Sequence, residues 1–421
     1  MKRNRNPPQA AFFSPIGTDA LTTAYMTVVF ALLAAMSPLG MDSYLPAVVQ
    51  FAQSMEVADE QASWTLSNYL IGLGLGQLAG GSLSDQKGRR VVTLAGLILF
   101  GVSCVAIASY HNFINALVFR FLQGAGGGLM MVCGMAMIKD TTEPQRLAER
   151  LSQAVFVIMI MPAVAPVIGS VVLLFAQWTA IFWLCAVAAL LLLVFFYLKV
   201  PETNSKATGV GSFRGALNQY IYVLNIKHGG RRIAVRQALI NALGSAAILI
   251  FVTTAPSILM GHYQLSASQF PLAFGAVIAA MLVGNRIGRY FLNRLPTEHL
   301  FLRGMLLYFC LAFAFFVAAL FFTFSLQAYI LAIMALVAAF TSVGPAGQAM
   351  FLNLLDKNFG SATALEQAMR FSLGGVFGGI AALLPLPPMQ AVATMLMLAV
   401  VISGLSYAGV YYYWNRAVNG T

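Results

Sequence analysis

Charge is what this chain has least of. Only 9% of its 421 residues are Asp, Glu, Lys or Arg, against about 25% in a soluble domain, and that excludes an ordinary water-soluble globule. Cysteine is nearly as scarce. Cys104, Cys133, Cys185 and Cys310 all fall in apolar runs, with neither metal-ligand spacing nor a disulfide framework, and read as small packing residues. No GxxxxGK[ST] run occurs, so ATP is not the expected energy source. Gly124, Gly126, Gly127 and Gly128 follow no strand and read as close helix packing rather than a dinucleotide fingerprint. No enzyme chemistry, metal or cofactor is indicated.

What is abundant is apolar sequence. Hydrophobic residues are 60% of the chain and mean hydropathy is +0.81. Runs of about 20 apolar residues, enough to cross a bilayer, predict spans near 24–46, 64–83, 91–109, 113–137, 152–174, 178–199, 237–259, 271–291, 300–322, 327–349, 363–384 and 389–413. Gly72, Gly74, Gly76 and Gly80 form a close-packing stripe on the second span. The first run is too long for the core of a signal peptide and reads as a retained span.

The net charge of +11 raises the question of nucleic acid, and the placement of the charges answers it. Lys and Arg recur after every second span: Lys2, Arg3 and Arg5; Lys87, Arg89 and Arg90; Lys139, Arg146 and Arg150; Lys199 to Arg236; Arg286, Arg289, Arg294 and Arg303; then Lys357 and Arg416. The intervening connections 50–62, 110–112, 175–178, 260–269, 323–327 and 385–389 contain none. This positive-inside pattern puts both termini in the cytoplasm. The expected partner is the lipid bilayer, not nucleic acid.

The predicted fold class is an all-α membrane protein with 12 transmembrane helices in two six-helix bundles. The domains are a cytoplasmic tail 1–22, an N-terminal bundle 23–199, a cytoplasmic linker 200–236, a C-terminal bundle 237–414 and a tail 415–421. Two equal halves suggest an internal repeat. Its faint echo pairs Gly81 to Arg90 with Gly284 to Arg289.

Apart from the positive-inside residues Lys199, Arg286, Arg289 and Arg303 toward the basic ends, four charges lie inside predicted spans, where each is costly unless it faces protein or water. Asp42 is either a residue at the far membrane surface or a protonatable site. Arg120 either braces backbone carbonyls or tunes that acid, with Gln123 one turn away. Glu366 and Arg370 share a face at i, i+4 and form either a self-neutralising pair or a second ionisable site. Tyr44, Asn68, Met131, Met135 and Asn241 are candidate cavity-lining residues, because methionine and aromatic walls adapt to varied ligands.

Gly80 to Arg90 (GGSLSDQKGRR) is similar to the loop between helices 2 and 3 in the major facilitator superfamily. In that family it closes the cytoplasmic side, which assigns a gating role to Gly81, Asp85, Gly88, Arg89 and Arg90. Arg120-Phe121-Leu122-Gln123-Gly124 resembles the family's RxxQG motif, linked to proton coupling. Pro162, Pro166 and Gly169 resemble the antiporter motif of drug exporters, although Ala165 stands where glycine usually precedes the proline. Pro201-Glu202-Thr203 resembles the ending of the sixth span. Met41-Asp42-Ser43-Tyr44-Leu45-Pro46 resembles the first-span signature of the bicyclomycin/chloramphenicol-resistance subfamily of drug:proton antiporters.

The resemblance implies a monomeric, multi-pass protein of the bacterial inner membrane. It would export small amphipathic compounds against protons and need no cofactor beyond the proton gradient. Asp42, Arg120 and Glu366 would couple protons, and Asp42 and Arg370 would join the lining residues in binding substrate. A dedicated exporter of one metabolite, such as a siderophore or amino-acid derivative, remains the alternative. A channel would need a polar stripe and a receptor a sizeable soluble domain, and neither is present.

Overall fold

In lipid every backbone N–H and C=O must be satisfied within the chain, and in the computed structural model the apolar runs do so as helices. It describes residues 20–110, 112–204, 220–226, 232–355 and 359–419. The expected N-terminal tail, most of the linker and the basic residues Lys2, Arg3, Arg5, Lys206, Arg214, Lys227, Arg231 and Lys357 lie outside these.

The first half contains α1 (Ala20–Asp42), a 3₁₀ turn (Leu45–Ala47), α2 (Val48–Ser54), α3 (Asp59–Ala62), α4 (Trp64–Lys87), α5 (Arg89–Ser109), α6 (Phe113–Thr141), α7 (Pro144–Leu173) and α8 (Thr179–Lys199). A short helical stretch, α9, crosses 220–225. The second half contains α10 (Ile233–Gly244), α11 (Ala246–Ala255), a π-helical turn (Pro256–His262), α12 (Phe270–Leu292), α13 (Thr297–Phe321), α14 (Leu326–Leu352), α15 (Phe359–Leu383) and α16 (Pro388–Asn419). No strand occurs among the described residues.

Ten helical segments are long and apolar enough to cross a membrane. Two more of like length, α4 and α15, are not among the ten. These two pack on each other along the boundary between the halves: Gly74 meets Ala368 and Ser372, Gly81 meets Ala364, and Ser67 meets Gly375 and Gly379. Helices that face protein need less apolar surface than helices that face lipid. Elsewhere large apolar side chains such as Val28, Ile98, Val102, Leu191 and Leu306 stand exposed, as a lipid-facing wall requires. Cys104, Cys133 and Cys185 are buried, but Cys310, expected to pack inside, is exposed.

Several predicted spans shift at their ends. The first, predicted to 46, ends as α1 at Asp42. The seventh breaks into α10, α11 and the π turn, which begins at Pro256. The fifth starts earlier, at Pro144, where a first-turn proline costs no hydrogen bond. The last helix runs to Asn419, past the bundle limit expected at 414.

The repeat is real, but its register differs from the echo heard in the sequence. At matching places in the two halves, Glu56 and Gln264 adopt left-handed backbone, with φ of 54° and 57°. Two residues later Ala58 N–H donates to Gln61 Oε1, and Ser266 N–H donates to Gln269 Oε1. The same offset pairs Gly76 and Gly80 of α4 with Gly284 and Gly288 of α12. Both pairs seat their helix against a neighbour, α6 at Ala125 and Leu129, α14 at Ala338, Thr341 and Ser342. Asp85 therefore corresponds to Asn293, not to a residue of the 284–289 run. Both α4, read on to Arg90, and α12 carry a short Gly/Arg string toward the basic end, so likeness of string mistook the register.

Candidate functional site

α1 stops at Asp42 because Pro46 has no N–H to give the carbonyl four residues back. The last carbonyls of the helix then need other donors. Ser43 supplies two to Leu39 O, its N–H at 3.2 Å and its Oγ at 2.6 Å. Arg120 supplies the next, with Nη1 donating to Gly40 O at 3.0 Å. A cation at a helix C-terminus also meets the negative end of the helix dipole.

Arg120 is 1% exposed on α6. Its Nη1 also donates to Gln123 Oε1 at 2.7 Å and its Nε to Thr65 O at 3.4 Å. The guanidinium lies over three rings: Tyr69 at 4.5 Å, Tyr44 at 4.8 Å and Phe182 at 5.7 Å. Its Nη2 has no hydrogen-bond partner among the described residues. Asp42, 4% exposed, sits at the same helix end. Among the described residues no ion pair reaches its carboxylate. Among the described residues the centre therefore holds an acid with no ion pair and a cation with one donor to spare.

α7 closes the other side. A Cβ on Gly169 would run into the Ser43 carbonyl and the Pro46 ring, so only glycine lets α7 lie against the break in α1. Pro166, one turn earlier, is buried, and Pro162 is half-buried. Asp42, Arg120 and Gly169, drawn from three separate sequence signals, meet at one place.

Other candidates lie elsewhere. Tyr44, expected to line a cavity, is sealed inside the first half. Its ring packs on Phe51 and Phe182, and its hydroxyl accepts from Thr65 Oγ1 at 3.4 Å. It braces Arg120 and is no wall residue. Asn241 is likewise buried, accepting from Gln237 Nε2 at 3.2 Å and pressed against Gly347. Asn68, Met131 and Met135 are half-buried, and Met131 Sδ takes a weak bond from Gln77 Nε2. Glu366 and Arg370 pair at 2.8 Å on α15 in the second half. Glu366 is fully buried with Oε2 unpartnered, while the Arg370 side chain is 28% exposed.

The gating cluster was expected to latch the halves together, but its recorded bonds stay within the first half. Arg89 pairs with Asp85 at 2.5 Å and with Asp140 at 3.1 Å. Arg90 donates to Tyr197 O at 2.6 Å. After Gly88, in left-handed backbone at φ 99°, the N–H groups of Arg89 and Arg90 both donate to Glu202, at 2.8 and 3.0 Å. Glu202 caps the positive end of α5 and ties it to the end of α8. Gly81 faces the second half, at Ala364. Sequence reasoning missed Asp140, Tyr69 and Phe182 as partners of the two arginines and missed the capping role of Glu202. No spacing links residues so far apart in the chain.

Residues 30–379 match the Major Facilitator Superfamily. Over 391 residues the chain is 25% identical to the bicyclomycin resistance protein homolog of Haemophilus influenzae, covering 92% of this chain and 96% of that protein. Over 270 residues it is 29% identical to the multidrug resistance protein MdtL of Shewanella oneidensis, covering 64% of this chain and 66% of that protein. Among solved structures, the inward open conformation of the xylose transporter XylE from E. coli superposes with a TM-score of 0.67. That match covers 91% of this chain and 96% of that one at 17% identity, a likeness of fold.

Proposed function

Because the chain belongs to the Major Facilitator Superfamily, we propose that it is a proton-coupled antiporter exporting small amphipathic compounds by alternating access. It crosses the bacterial inner membrane twelve times as a monomer, with both termini and the basic end in the cytoplasm. The names of the Haemophilus and Shewanella relatives support drug export. The observation that carries the coupling step is Asp42, a buried carboxyl with no ion pair among the described residues where α1 breaks, beside an arginine with a free donor.

Substrate enters from the cytoplasm and displaces a proton from Asp42. The halves then rock, substrate leaves, and a proton from the far side reloads the acid. Arg120 cannot give up its charge, so it answers the carboxylate while Asp42 is ionised. Exchange of one proton for a neutral molecule draws on both the pH difference and the voltage. Glu366 is a second ionisable group in this scheme, and Arg370 with the half-buried Asn68, Met131 and Met135 contributes to binding. No cofactor takes part.

The test is substrate-induced proton release from purified protein, screened across drugs and metabolites. Release by several unrelated lipophilic compounds, absent in Asp42→Asn, is the expected result. Release that persists in Asp42→Asn rejects the assignment of the coupling acid. The second reading, an exporter of one anionic metabolite, is favoured by the partly open Arg370 and shows as release by that compound alone.

A further inference from the structure

The repeat exposes an imbalance at the basic end. In the first half Arg89 is answered by Asp85 and Asp140. In the second half the place of Asp85 is taken by Asn293, yet Arg286, Arg289 and Arg294 cluster there. Among the described residues none of these three makes an ion pair. Gly284 and Gly288 turn one side of α12 into α14. Residues 286, 289, 290 and 293, at i, i+3, i+4 and i+7, therefore share the opposite, outward side.

That side forms a shallow, largely open groove whose described lining lies on α12 and its end alone: Arg286, Ile287, Arg289, Tyr290, Phe291 and Asn293. Arg294 stacks on Tyr290 at 4.0 Å. Away from the helix end the same surface continues as exposed Val283 and Ile287, with Tyr290 52% exposed. The equivalent surface of α4 is covered: Tyr220 donates to Leu78 O at 2.6 Å, and Gly81 meets Ala364.

We propose that this groove binds the headgroup of an anionic phospholipid of the cytoplasmic leaflet, its phosphate between Arg286 and Arg289 and its acyl chains along Ile287 and Val283. Uncompensated arginines at the membrane surface attract anionic lipid, and basic pockets on the cytoplasmic side are suited to such headgroups. Arginine's planar fork fits a phosphate. The apolar stripe that continues from the groove matches a lipid better than a free anion. The site lies apart from Asp42 and does not depend on the transport reading.

The experiment is native mass spectrometry of the full chain incubated with phosphatidylglycerol, phosphatidylcholine or inorganic phosphate. The proteins are the wild type, the double variant Arg286→Gln/Arg289→Gln, and the control Lys139→Gln/Arg146→Gln, which removes two other exposed cations of the same end. Wild type and control are expected to retain phosphatidylglycerol over phosphatidylcholine. The double variant is expected to lose that preference by about 25-fold, since each of the two surface arginines contributes about a fivefold preference. Equal retention by the double variant, or an equal loss in the control, overturns the site. Displacement of phosphatidylglycerol by millimolar inorganic phosphate overturns the lipid in favour of a free anion.

Discussion

A guanidinium cannot be neutralised by losing its proton, so Arg120 must be answered by the groups around it. Two carbonyls, one amide and three rings do this. A lysine keeps the charge, but its single nitrogen cannot replace the Nε bond to Thr65 O together with the two Nη1 bonds, and it has no planar group to set over the rings of Tyr44 and Tyr69. Arg120→Lys is therefore expected to destabilise the protein by about 2–3 kcal/mol, from lost charged hydrogen bonds and ring stacking. Denaturant unfolding in detergent measures this, and a variant as stable as wild type would show that the cage is incidental. At this scale the sequence was legible where a charge stood against an apolar background, which is how Asp42, Arg120, Glu366 and Arg370 were found. Tyr69 and Phe182 were not, because with aromatics at 12% of the chain nothing local marks the two that meet a cation. Tyr44 was expected, from its predicted position, to line a cavity, and it is buried against Arg120 instead.

Helices α4 and α12 owe their seating to glycine. At Gly284 an added side chain meets the Ala338 backbone and the Thr341 hydroxyl, while at Gly275, on the same helix, it meets nothing within 4 Å. Gly284→Val is expected to cost about 3 kcal/mol, the upper end of the range for overpacking that shifts side chains and backbone together. Gly275→Val is expected to leave the yield of monodisperse protein unchanged. Size-exclusion profiles of both variants decide it, and equal profiles would mean that the α12–α14 contact yields easily. The existence of the helices was plain from hydropathy, because about 20 apolar residues in lipid have little alternative to a helix. Their ends were not. Pro46 halts α1 four residues before itself, and a break at Ser245 splits what looked like one uninterrupted run, whose end then turns π-helical from Pro256. The register of the repeat was hidden for a similar reason. Its markers are a left-handed residue and a glutamine bonded to a backbone N–H, which are features of conformation rather than composition.

The polar stretch between α8 and α10 suggests a division into halves, but it could not show the joints between them, since every joint pairs residues from opposite halves of the chain. At the end of the molecule opposite the basic one, Ser170 Oγ on α7 donates to Ala267 O just before α12, at 2.6 Å. Asp59 also lies against Gly261 of the π turn there. Alternating access requires these contacts to part once per cycle. A Ser170→Cys/Ala267→Cys pair, made in a Cys310→Ser background because Cys310 is the one exposed native thiol among the described residues, should form a disulfide on mild oxidation if the Cα atoms lie within the usual 4.4–6.8 Å. Oxidised protein in proteoliposomes is expected to lose transport almost completely and to regain it with reductant. It should still bind substrate offered from the basic end, because the cross-link leaves that end free. Full transport by fully cross-linked protein would mean that the α7–α12 contact need not open, and the rocking motion assigned to the two halves would fail with it.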